Sequence, residues 1–389
     1  MKNFFFFFLL SISSYSQNLN FIDLENIPAD YHSLLTTSVF NNKIIINCGN
    51  GYVNGEYYTY DFLFQYDTES NTWSTIITDN ELANKIYANG EVIGNNLYLF
   101  NGYENNLVEI VNLETNEVTY GAENPLSRSK SGSAVNGNKI YVFGGEIDSN
   151  NYSSQLYSYN VDSDIWTLLA DMPNPRETRG EIINNKIYAI GGYNGSVSNI
   201  IDIYNIESNE WESQFIMPYG VSANSLTVYN DLIFIVGDYS ELDRIGYFDT
   251  SNEVFNTVNN NMIGRRHSDS EVINNNIYLI GGNYTSSATD GGWLNSTQRA
   301  NLNDALSIPT INQLKGITIS PNPTIENIKV NINSSNKYSF NIYDNTGKKV
   351  LTGENVTSDH ISLSKISKGI YYIEVILENF SKTFKIIKN

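Results

Sequence analysis

The sequence predicts an all-β protein made of a series of repeated units and a small C-terminal β domain. Within residues 41–302, six stretches align with one another, and a glycine at the same place in each recurs every 43 to 53 residues. These glycines are Gly49, Gly102, Gly145, Gly192, Gly237 and Gly282. Such a period is typical of units that bury their apolar faces against neighbouring units.

The distribution of charge separates the two parts. Residues 17–314 carry 36 acidic and 12 basic side chains, whereas residues 315–389 carry ten lysines and six acidic side chains. A change this sharp marks a domain boundary. We predict a linker at residues 303–314, where a proline interrupts a stretch without a clear period.

The composition is that of a globular protein with two or three domains. Of 389 residues, 13% are aromatic and only 17% are charged, which is unlike a disordered chain. The net charge of −19 argues against nucleic acid and anionic membrane surfaces as partners. One cysteine and three histidines exclude a disulfide framework, a cysteine-based zinc site and a histidine-rich metal centre. We therefore expect no metal and no cofactor.

The first 16 residues have the features of a signal peptide. Lys2 gives a basic start, residues 4–12 are nearly all apolar, and small polar residues follow. This run is far shorter than the roughly 20 residues that a transmembrane helix needs, and no later stretch reaches that length. We predict cleavage after Ser16 or Gln17. A buried N-terminal helix is the alternative, which five consecutive phenylalanines disfavour.

Each repeated unit contains the signals of paired strands. An Asn or Gly turn precedes a short apolar run that ends at the recurring glycine, as in residues 184–192. Two bulky residues then follow at a separation of seven, for example Tyr159 and Trp166. The constant separation predicts that the two side chains lie on adjacent strands and pack across them.

This order of turn, apolar strand, glycine pair and spaced aromatics resembles the kelch repeat. The resemblance covers about residues 19–302 and implies a β-propeller with four strands in each blade. The sixth unit lacks an aromatic partner after Ala300, while the segment from Phe21 to Leu24 aligns with an outer strand and has no unit of its own. We therefore predict six blades within residues 17–302, closed by an N-terminal strand that completes the last blade.

Residues 315–389 alternate apolar and polar side chains in short runs, which predicts a small β-sandwich. The segment resembles the C-terminal sorting domain of type IX secretion. The residues that carry this resemblance include Pro321, Asn322, Pro323, Gly347, Gly369 and Tyr371. The resemblance implies the type IX secretion machinery as a partner, with export through the periplasm to the cell surface or the medium. The alternative is a carbohydrate-binding sandwich that stays attached.

Arginines and tyrosines collect at one end of the predicted blades. The arginines just before the first strand of a unit are Arg128, Arg176, Arg179, Arg265 and Arg266. The tyrosines that follow the recurring glycine are Tyr52, Tyr103, Tyr193, Tyr239 and Tyr284. Arginine presents a planar fork to carboxylates and tyrosine a flat amphipathic surface, so we predict a ligand-binding face for an acidic glycan or protein loop. The alternative is structural, with the arginines paired to neighbouring acids.

Three glutamates, Glu91, Glu181 and Glu271, each lie seven residues before the aromatic of the second strand in alternate units. This position puts them on the innermost strands, where they line the predicted channel. We expect them to accept hydrogen bonds or pair with arginine, in preference to holding a cation such as Ca²⁺.

Binding is the predicted function, and catalysis is the alternative. Some kelch proteins are copper oxidases, but His32, His267 and Cys48 do not supply the ligands of such a site. Others are sialic acid mutarotases, so Glu181, Glu271 and His267 are candidates for acid–base residues of a mutarotase or lyase acting on an acidic sugar. No nucleophile elbow or phosphate-binding loop is present. We therefore expect a secreted or surface-displayed propeller that binds a glycan or a protein.

Overall fold

The computed structural model describes most of the chain beyond the predicted signal peptide. The described ranges are 18–53, 56–57, 62–83, 86–102, 106–285, 292–305, 317–332, 337–377 and 380–389. The signal peptide at 1–16 and most of the linker lie outside these ranges, and the domain boundaries stay predictions. In the described ranges almost every element is a strand, which confirms the all-β prediction.

The repeated part contains strands β1 to β28 and a single turn of helix. In chain order the bounds are β1 (Asn18–Leu19), β2 (Ile22–Asp23), β3 (Tyr31–Phe40), β4 (Lys43–Val53), β5 (Glu56–Tyr57), β6 (Phe62–Asp67), β7 (Thr72–Ile77), β8 (Ala88–Ile93), β9 (Asn96–Asn101), β10 (Val108–Asn112), β11 (Val118–Gly121), β12 (Gly132–Asn136), β13 (Lys139–Phe143), β14 (Glu146–Asp148), β15 (Asn151–Tyr152), β16 (Leu156–Asn160), β17 (Ile165–Leu168), β18 (Glu177–Ile183), β19 (Lys186–Tyr193), β20 (Ile200–Asn205), β21 (Glu210–Ile216), β22 (Ser225–Tyr229), β23 (Leu232–Val236), β24 (Ile245–Asp249), β25 (Val254–Asn260), β26 (Asp269–Ile273), β27 (Asn276–Ile280), β28 (Thr297–Asn301) and helix α1 (Leu302–Ala305).

Most of these strands form six four-stranded antiparallel sheets, designated sheets 1 to 6, while β14 and β15 form a separate two-stranded sheet and β5 pairs with β4. Their strand orders are β3–β4–β6–β7, β8–β9–β10–β11, β12–β13–β16–β17, β18–β19–β20–β21, β22–β23–β24–β25 and β26–β27–β28–β2. Sheets 1 to 5 are built from strands close together in sequence, so each corresponds to one repeat. Sheet 6 takes its fourth strand from the N-terminal segment.

Asparagine pairs make the turns between first and second strands in sheets 1, 4 and 6. In sheet 4, Asn184 and Asn185 form the two-residue loop between Ile183 and Lys186, with φ angles of 51° and 58°. Asparagine tolerates positive φ better than most residues, which is why this turn could be predicted from sequence.

The spaced aromatics lie on adjacent strands, as predicted. Tyr159 of β16 is the cross-strand partner of Trp166 of β17, and their ring centroids are 4.8 Å apart. Tyr204 and Trp211 repeat the arrangement in sheet 4, with centroids 5.3 Å apart. Tyr159 also belongs to a buried cluster with Phe100 of sheet 2, so the aromatics join neighbouring sheets as well as neighbouring strands.

The six sheets follow one another in a ring. Their first strands, β3, β8, β12, β18, β22 and β26, contact each other in this order, and β26 contacts β3. In the N-terminal segment, β2 pairs antiparallel with β28 of sheet 6 and β1 pairs parallel with β25 of sheet 5. The arrangement is that of a β-propeller. The six-blade count and the N-terminal closure stay predictions, and these contacts support them.

The C-terminal domain contains two sheets. Its strands are β29 (Thr318–Ser320), β30 (Asn327–Asn331), β31 (Tyr338–Asp344), β32 (Lys349–Val356), β33 (His360–Ser362), β34 (Gly369–Leu377) and β35 (Phe380–Lys388). The sheets have the orders β29–β30–β33 and β32–β31–β34–β35. Apolar side chains from both, such as Ile328 and Ile373, form one buried core, as a small sandwich requires.

The N-terminal closure predicts unequal effects of two neighbouring substitutions. Phe21 is 5% exposed and packs with residues of sheets 5 and 6, whereas Ile22 is 50% exposed. Phe21→Ala is expected to lower the free energy of unfolding by about 3 kcal/mol, because it leaves a cavity. Ile22→Ala is expected to change it by less than about 0.5 kcal/mol. Urea unfolding of the chain without its signal peptide measures both, and equal effects would contradict closure by this segment.

Candidate functional site

The first strands of the six sheets enclose a cavity of about 930 Å³. This volume is within the range of about 300–1,000 Å³ that small-molecule sites usually have. All six first strands start at the same end of the ring, so the residues before them lie together there. We term this end the mouth. Its cavity-lining residues include Tyr87, Lys130, Tyr193, Tyr239, Arg266, His267 and Trp293.

Arg266 is a nearly buried cation at the mouth. It is 8% exposed, and its guanidinium carbon lies 4.0 Å from the centroid of the Tyr239 ring. Its Nη1 donates to the Tyr239 carbonyl at 3.4 Å, while its Nε has no hydrogen-bond partner. Within the described part of the chain, no carboxylate forms an ion pair with Arg266. Arg266 Nε is therefore available for a further hydrogen bond.

His267 follows Arg266 and is uncharged near neutral pH. Burial, and then the nearby cations Arg266, Arg179 and Lys130, lower its pKa to about 3. Its ring contacts Tyr87 and Tyr239, with centroids 5.8 and 6.5 Å away. A histidine with this pKa is a poor general acid or base at neutral pH, which counts against the catalytic role considered for it.

Lys130 is a mouth residue that the sequence analysis missed. Its Nζ lies 2.8 Å from a Glu146 oxygen and 2.7 Å from a Glu177 oxygen, and 5.1 Å from the centre of the Tyr87 ring. It stands two residues after Arg128, just before a first strand, so counting lysine together with arginine would have found it. Trp293 was also missed, because it lies in a loop without a repeat motif.

Arg179 crosses the cavity from sheet 4. Its Nη1 lies 2.9 Å from an Asp269 oxygen in sheet 6, and its Nη2 donates to the Leu35 carbonyl in sheet 1 at 3.1 Å. The other Asp269 oxygen accepts from the Thr37 N–H at 2.7 Å. The structure therefore pairs Arg179 with an acid, as the alternative interpretation of the arginines expected.

The three predicted glutamates line this cavity. Glu91 accepts from Ser133 Oγ at 2.6 Å, and Glu271 accepts from Thr37 Oγ1 at 2.9 Å. Both contacts are hydrogen bonds of the expected kind. For Glu181 the structure gives no hydrogen bond of this kind, and Arg179 is its neighbouring cation.

Removal from bulk water makes these glutamates hard to ionise. Burial raises the pKa of Glu91 to about 7, with Asp269 adding to the rise and the Ser133 hydrogen bond opposing it. Burial and then the neighbouring carboxylates of Glu91 and Asp269 raise the pKa of Glu181 to about 8. Burial and then Asp269 hold the pKa of Glu271 well above its usual value. These carboxyl groups therefore keep their protons to a higher pH than free glutamate does, and a protonated carboxyl group can donate a hydrogen bond.

Three of the five predicted ligand-binding arginines are structural instead. Arg128, Arg176 and Arg265 are at most 1% exposed. Each donates to the carbonyl of the first glycine of its own sheet's glycine pair; the acceptors are Gly144, Gly191 and Gly281. The enclosure of their guanidinium groups by protein counts against the prediction that these three arginines bind a ligand.

Arg176 has the most complete set of partners. Its Nη1 lies 2.6 Å from Asp202 Oδ2, and both side chains are 0% exposed. Arg265 has Gln298 where Arg176 has Asp202, and its Nη2 donates to Gln298 Oε1 at 2.7 Å. These contacts anchor the loops that lead into the first strands.

The predicted tyrosines divide into three groups. Tyr193 and Tyr239 line the cavity and are 36% and 51% exposed. Tyr284 is exposed but is not part of the cavity wall. Tyr103 and the side chain of Tyr52 lie outside the described part of the chain.

The residues of the C-terminal motif lie at turns and strand ends of the sandwich. Asn322, between the two prolines Pro321 and Pro323, donates to the Lys385 carbonyl at 2.8 Å and accepts from the Ile387 N–H at 2.9 Å. Gly369 begins β34, and the hydroxyl of Tyr371 donates to the Ser367 carbonyl at 3.0 Å. The motif thus ties the start of the domain to its last strand.

The residues considered for a copper site are part of sheet 1 and the mouth. His32 is buried, with Nε2 3.3 Å from the Cys48 carbonyl, and Cys48 Sγ lies 3.1 Å from Thr36 Oγ1. Across the described ranges, no group of three or more His, Cys, Asp or Glu side chains is placed to hold a metal ion. In the same ranges no helix has the length and apolar character to cross a membrane.

Comparison with known families gives two matches. Residues 87–282, just over half of the chain, match the KLHDC2/KLHL20/DRC7 Kelch-repeats domain. Residues 318–389 match the secretion system C-terminal sorting domain. Both resemblances seen in the sequence are confirmed. The sorting domain indicates export by type IX secretion, so the protein is secreted or displayed at the cell surface.

Three curated relatives each match less than half of this chain. Kelch repeat and BTB domain-containing protein 2 of cowpox virus (strain Brighton Red) is 28% identical over 172 residues, 40% of this chain and 31% of that protein. Beta-scruin of Limulus polyphemus is 26% identical over 203 residues, 46% of this chain and 21% of its own length. Kelch-like protein 7 of Rattus norvegicus is 31% identical over 106 residues, 25% of this chain and 18% of its own length. The chain thus covers less than a third of each.

The buried ion pair gives a stability prediction with an internal control. Arg176→Met leaves the Asp202 carboxylate buried without its cation, and we expect a loss of about 3–5 kcal/mol in the free energy of unfolding. Arg266→Met breaks no ion pair to a described residue, and we expect a loss below about 1 kcal/mol. Urea unfolding at pH 7 compares them. Equal losses would contradict the division of the arginines into structural and cavity residues.

The raised pKa values of the cavity carboxyls predict that stability falls as the pH rises through the neutral range. Their raised pKa values mean that the folded chain holds more protons than the unfolded chain from about pH 5 to about pH 8, so stability falls as pH rises through this window. The lowered pKa values of His32 (about 4) and His267 (about 3) act oppositely, but only below about pH 6.5. The melting temperature should therefore fall between pH 6.5 and 8.5.

Glu181→Gln tests the origin of that fall. We expect a shallower dependence of the melting temperature on pH in this variant, because it removes one group that must ionise inside the cavity. Glu207→Gln, in an exposed turn of sheet 4, should leave the dependence unchanged. A melting temperature that is constant or rises from pH 6.5 to 8.5 would refute the assignment.

Proposed function

The chain belongs to the kelch-repeat family, and on that premise we propose that it is an extracellular binding module that takes an acidic saccharide into the mouth of its cavity. The sorting domain at 318–389 provides its export. Kelch repeats are associated with binding rather than with one reaction, so the ligand has to be inferred from the cavity itself.

One observation carries the choice of an anionic ligand. Arg266 lines the cavity, is 8% exposed and has an Nε without a hydrogen-bond partner. The other cations at or near the mouth, Lys130 and Arg179, already contact carboxylates. Because arginine binds carboxylates through a planar fork, a ligand carboxylate is the group that best completes this site.

The rest of the wall suits a saccharide. Tyr193, Tyr239 and Trp293 line the cavity, and aromatic rings offer flat surfaces to the apolar faces of sugars while their polar edges remain hydrated. Glu91 and Glu181 also line the cavity, and their raised pKa values of about 7 and about 8 let protonated and ionised forms occur near neutral pH. In the protonated form a carboxyl group can both donate hydrogen bonds to hydroxyls and accept them. An acidic protein loop would satisfy Arg266 but would make less use of these groups.

A specific observation also favours the catalytic alternative. Glu91 and Glu181 have pKa values near 7 and 8, which is where general acid–base groups are most effective. A mutarotase or lyase acting on the same acidic sugar is therefore our second candidate. The two candidates share the Arg266 contact and differ in turnover, which NMR of the sugar during titration would reveal.

The proposal predicts selective binding of acidic sugars. Isothermal titration of the chain without its signal peptide should give saturable binding of N-acetylneuraminic acid or a galacturonic acid trisaccharide and none of galactose. Arg266→Met should weaken this binding about 10- to 100-fold, as expected for loss of a charged hydrogen bond.

A second arginine provides a matched control. Arg244 lies 3.9 Å from the centroid of the Tyr219 ring, much as Arg266 lies against Tyr239, but it is paired with Asp238 and does not line the cavity. Arg244→Met should leave the affinity unchanged. Absence of binding by both acidic sugars, or equal weakening by the two variants, would overturn the proposal.

A further inference from the structure

The outer face of the four-stranded sheet in the C-terminal domain is covered. Tyr371, Ile373 and Val375 of β34 point into the core of the sandwich. The alternate residues of β34, Tyr372 and Glu374, therefore point out of it. A sheet with one face on its own core normally exposes the other face to water.

The burial of this outer face is extensive. In register across the sheet, Tyr343 is opposite Tyr372, and Thr383 is opposite Glu374. Their exposures are 8% for Tyr343, 3% for Tyr372, 9% for Glu374 and 1% for Thr383. Four polar or amphipathic side chains on one face are thus removed from water by something outside the sandwich.

The propeller supplies the cover. The Tyr372 ring meets the Phe215 ring edge-on with centroids 5.2 Å apart, and its hydroxyl donates to the Gln214 carbonyl. Tyr372 belongs to the buried cluster that fills the space between sheets 4 and 5. The last strand, β35, contacts β25 of sheet 5. The tail therefore spans the junction of two sheets.

A turn of the sorting motif also touches the propeller. Gly347 lies close to Asn199, in the loop before β20, since a Cβ atom added to this glycine would be 2.6 Å from Asn199 Nδ2. The charges agree with this contact, since the C-terminal segment has ten lysines and six acidic residues, while residues 17–314 are strongly acidic. Lys382 is an example of opposite charges near this contact. Burial lowers the pKa of Lys382, and the negative charge of Asp249 in the propeller opposes that change.

We propose that this face is a docking surface which holds the sorting domain on the propeller without the peptide connection between them. Stable interfaces between separate proteins usually have a buried aromatic residue at their centre, hydrogen bonds and complementary charges. This face has all three, because Tyr372 inserts into the propeller, its hydroxyl bonds to the main chain, and the two domains have opposite net charges. The secretion machinery then meets the sorting domain with this face covered and recognises it through its remaining surfaces. The proposal is independent of any ligand in the cavity.

Cutting the chain after it has folded tests the docking directly. A protease recognition sequence placed between residues 310 and 311 of the chain without its signal peptide allows cleavage, and gel filtration then reports whether the two fragments stay together. We expect the fragments to co-elute at about 1 μM, because the dissociation constant of such an interface should be lower than about 1 μM. Separate elution of the wild-type fragments at about 10 μM would overturn the proposal.

Substitutions at the interface locate the contact. Tyr372→Ala should weaken the association about 30-fold, as for an interface hot spot, and Tyr372→Phe, which keeps the ring but loses the bond to Gln214, should weaken it less. Ile370→Ala is the control, since Ile370 is two residues away on the same face and 45% exposed. Thermal melting of each uncut variant checks that the sandwich is folded. If a folded Tyr372→Ala variant binds as tightly as wild type, this docking surface is wrong.

Discussion

The close contact between the glycine pair of one sheet and the chain entering the next sheet is the interaction on which the rest of the structure depends. The N–H of Gly145 in sheet 3 donates to the Arg176 carbonyl at 2.8 Å, and a Cβ on Gly144 would lie 2.7 Å from the same oxygen. Gly144 also has a φ of 61°, so glycine is required for both reasons. The Arg176 guanidinium then bonds to Gly191 in its own sheet. One arginine thus links two sheets, and His32 provides the equivalent carbonyl where sheet 6 meets sheet 1.

This junction explains how closely spaced basic residues serve two purposes. The buried arginine fixes the loop before a first strand, and a basic residue one to three positions later reaches the cavity. Arg265 is followed by Arg266, Arg128 by Lys130, and Arg176 by Arg179. Because the anchor is buried and held by main-chain carbonyls, the following side chain is presented in a defined direction. The cavity and the basic residues at its mouth are therefore consequences of the way neighbouring sheets are joined.

Local patterns in the sequence predicted the strands, the turns and the aromatic pairs, because each depends on residues close together in the chain. The three cavity glutamates were also found, since their spacing to the second strand fixes them on the first. Local patterns could not show that Arg265 is a buried structural residue while Arg266 lines the cavity. Their difference depends on Gly281 and Gln298, which only the folded sheet brings near. The pairing of Arg179 with Asp269, 90 residues apart, and the contact of Tyr372 with the propeller depend on long-range packing in the same way.

A crystal structure of the chain at saturation with whichever acidic sugar binds in titration, N-acetylneuraminic acid or the galacturonic acid trisaccharide, tests the central claim most directly. The account predicts the sugar carboxylate within hydrogen-bond distance of the Arg266 guanidinium, about 3 Å, with the ring against the mouth tyrosines and its hydroxyls toward the glutamates. A carboxylate bound away from Arg266, or a cavity that contains no sugar under these conditions, would contradict it.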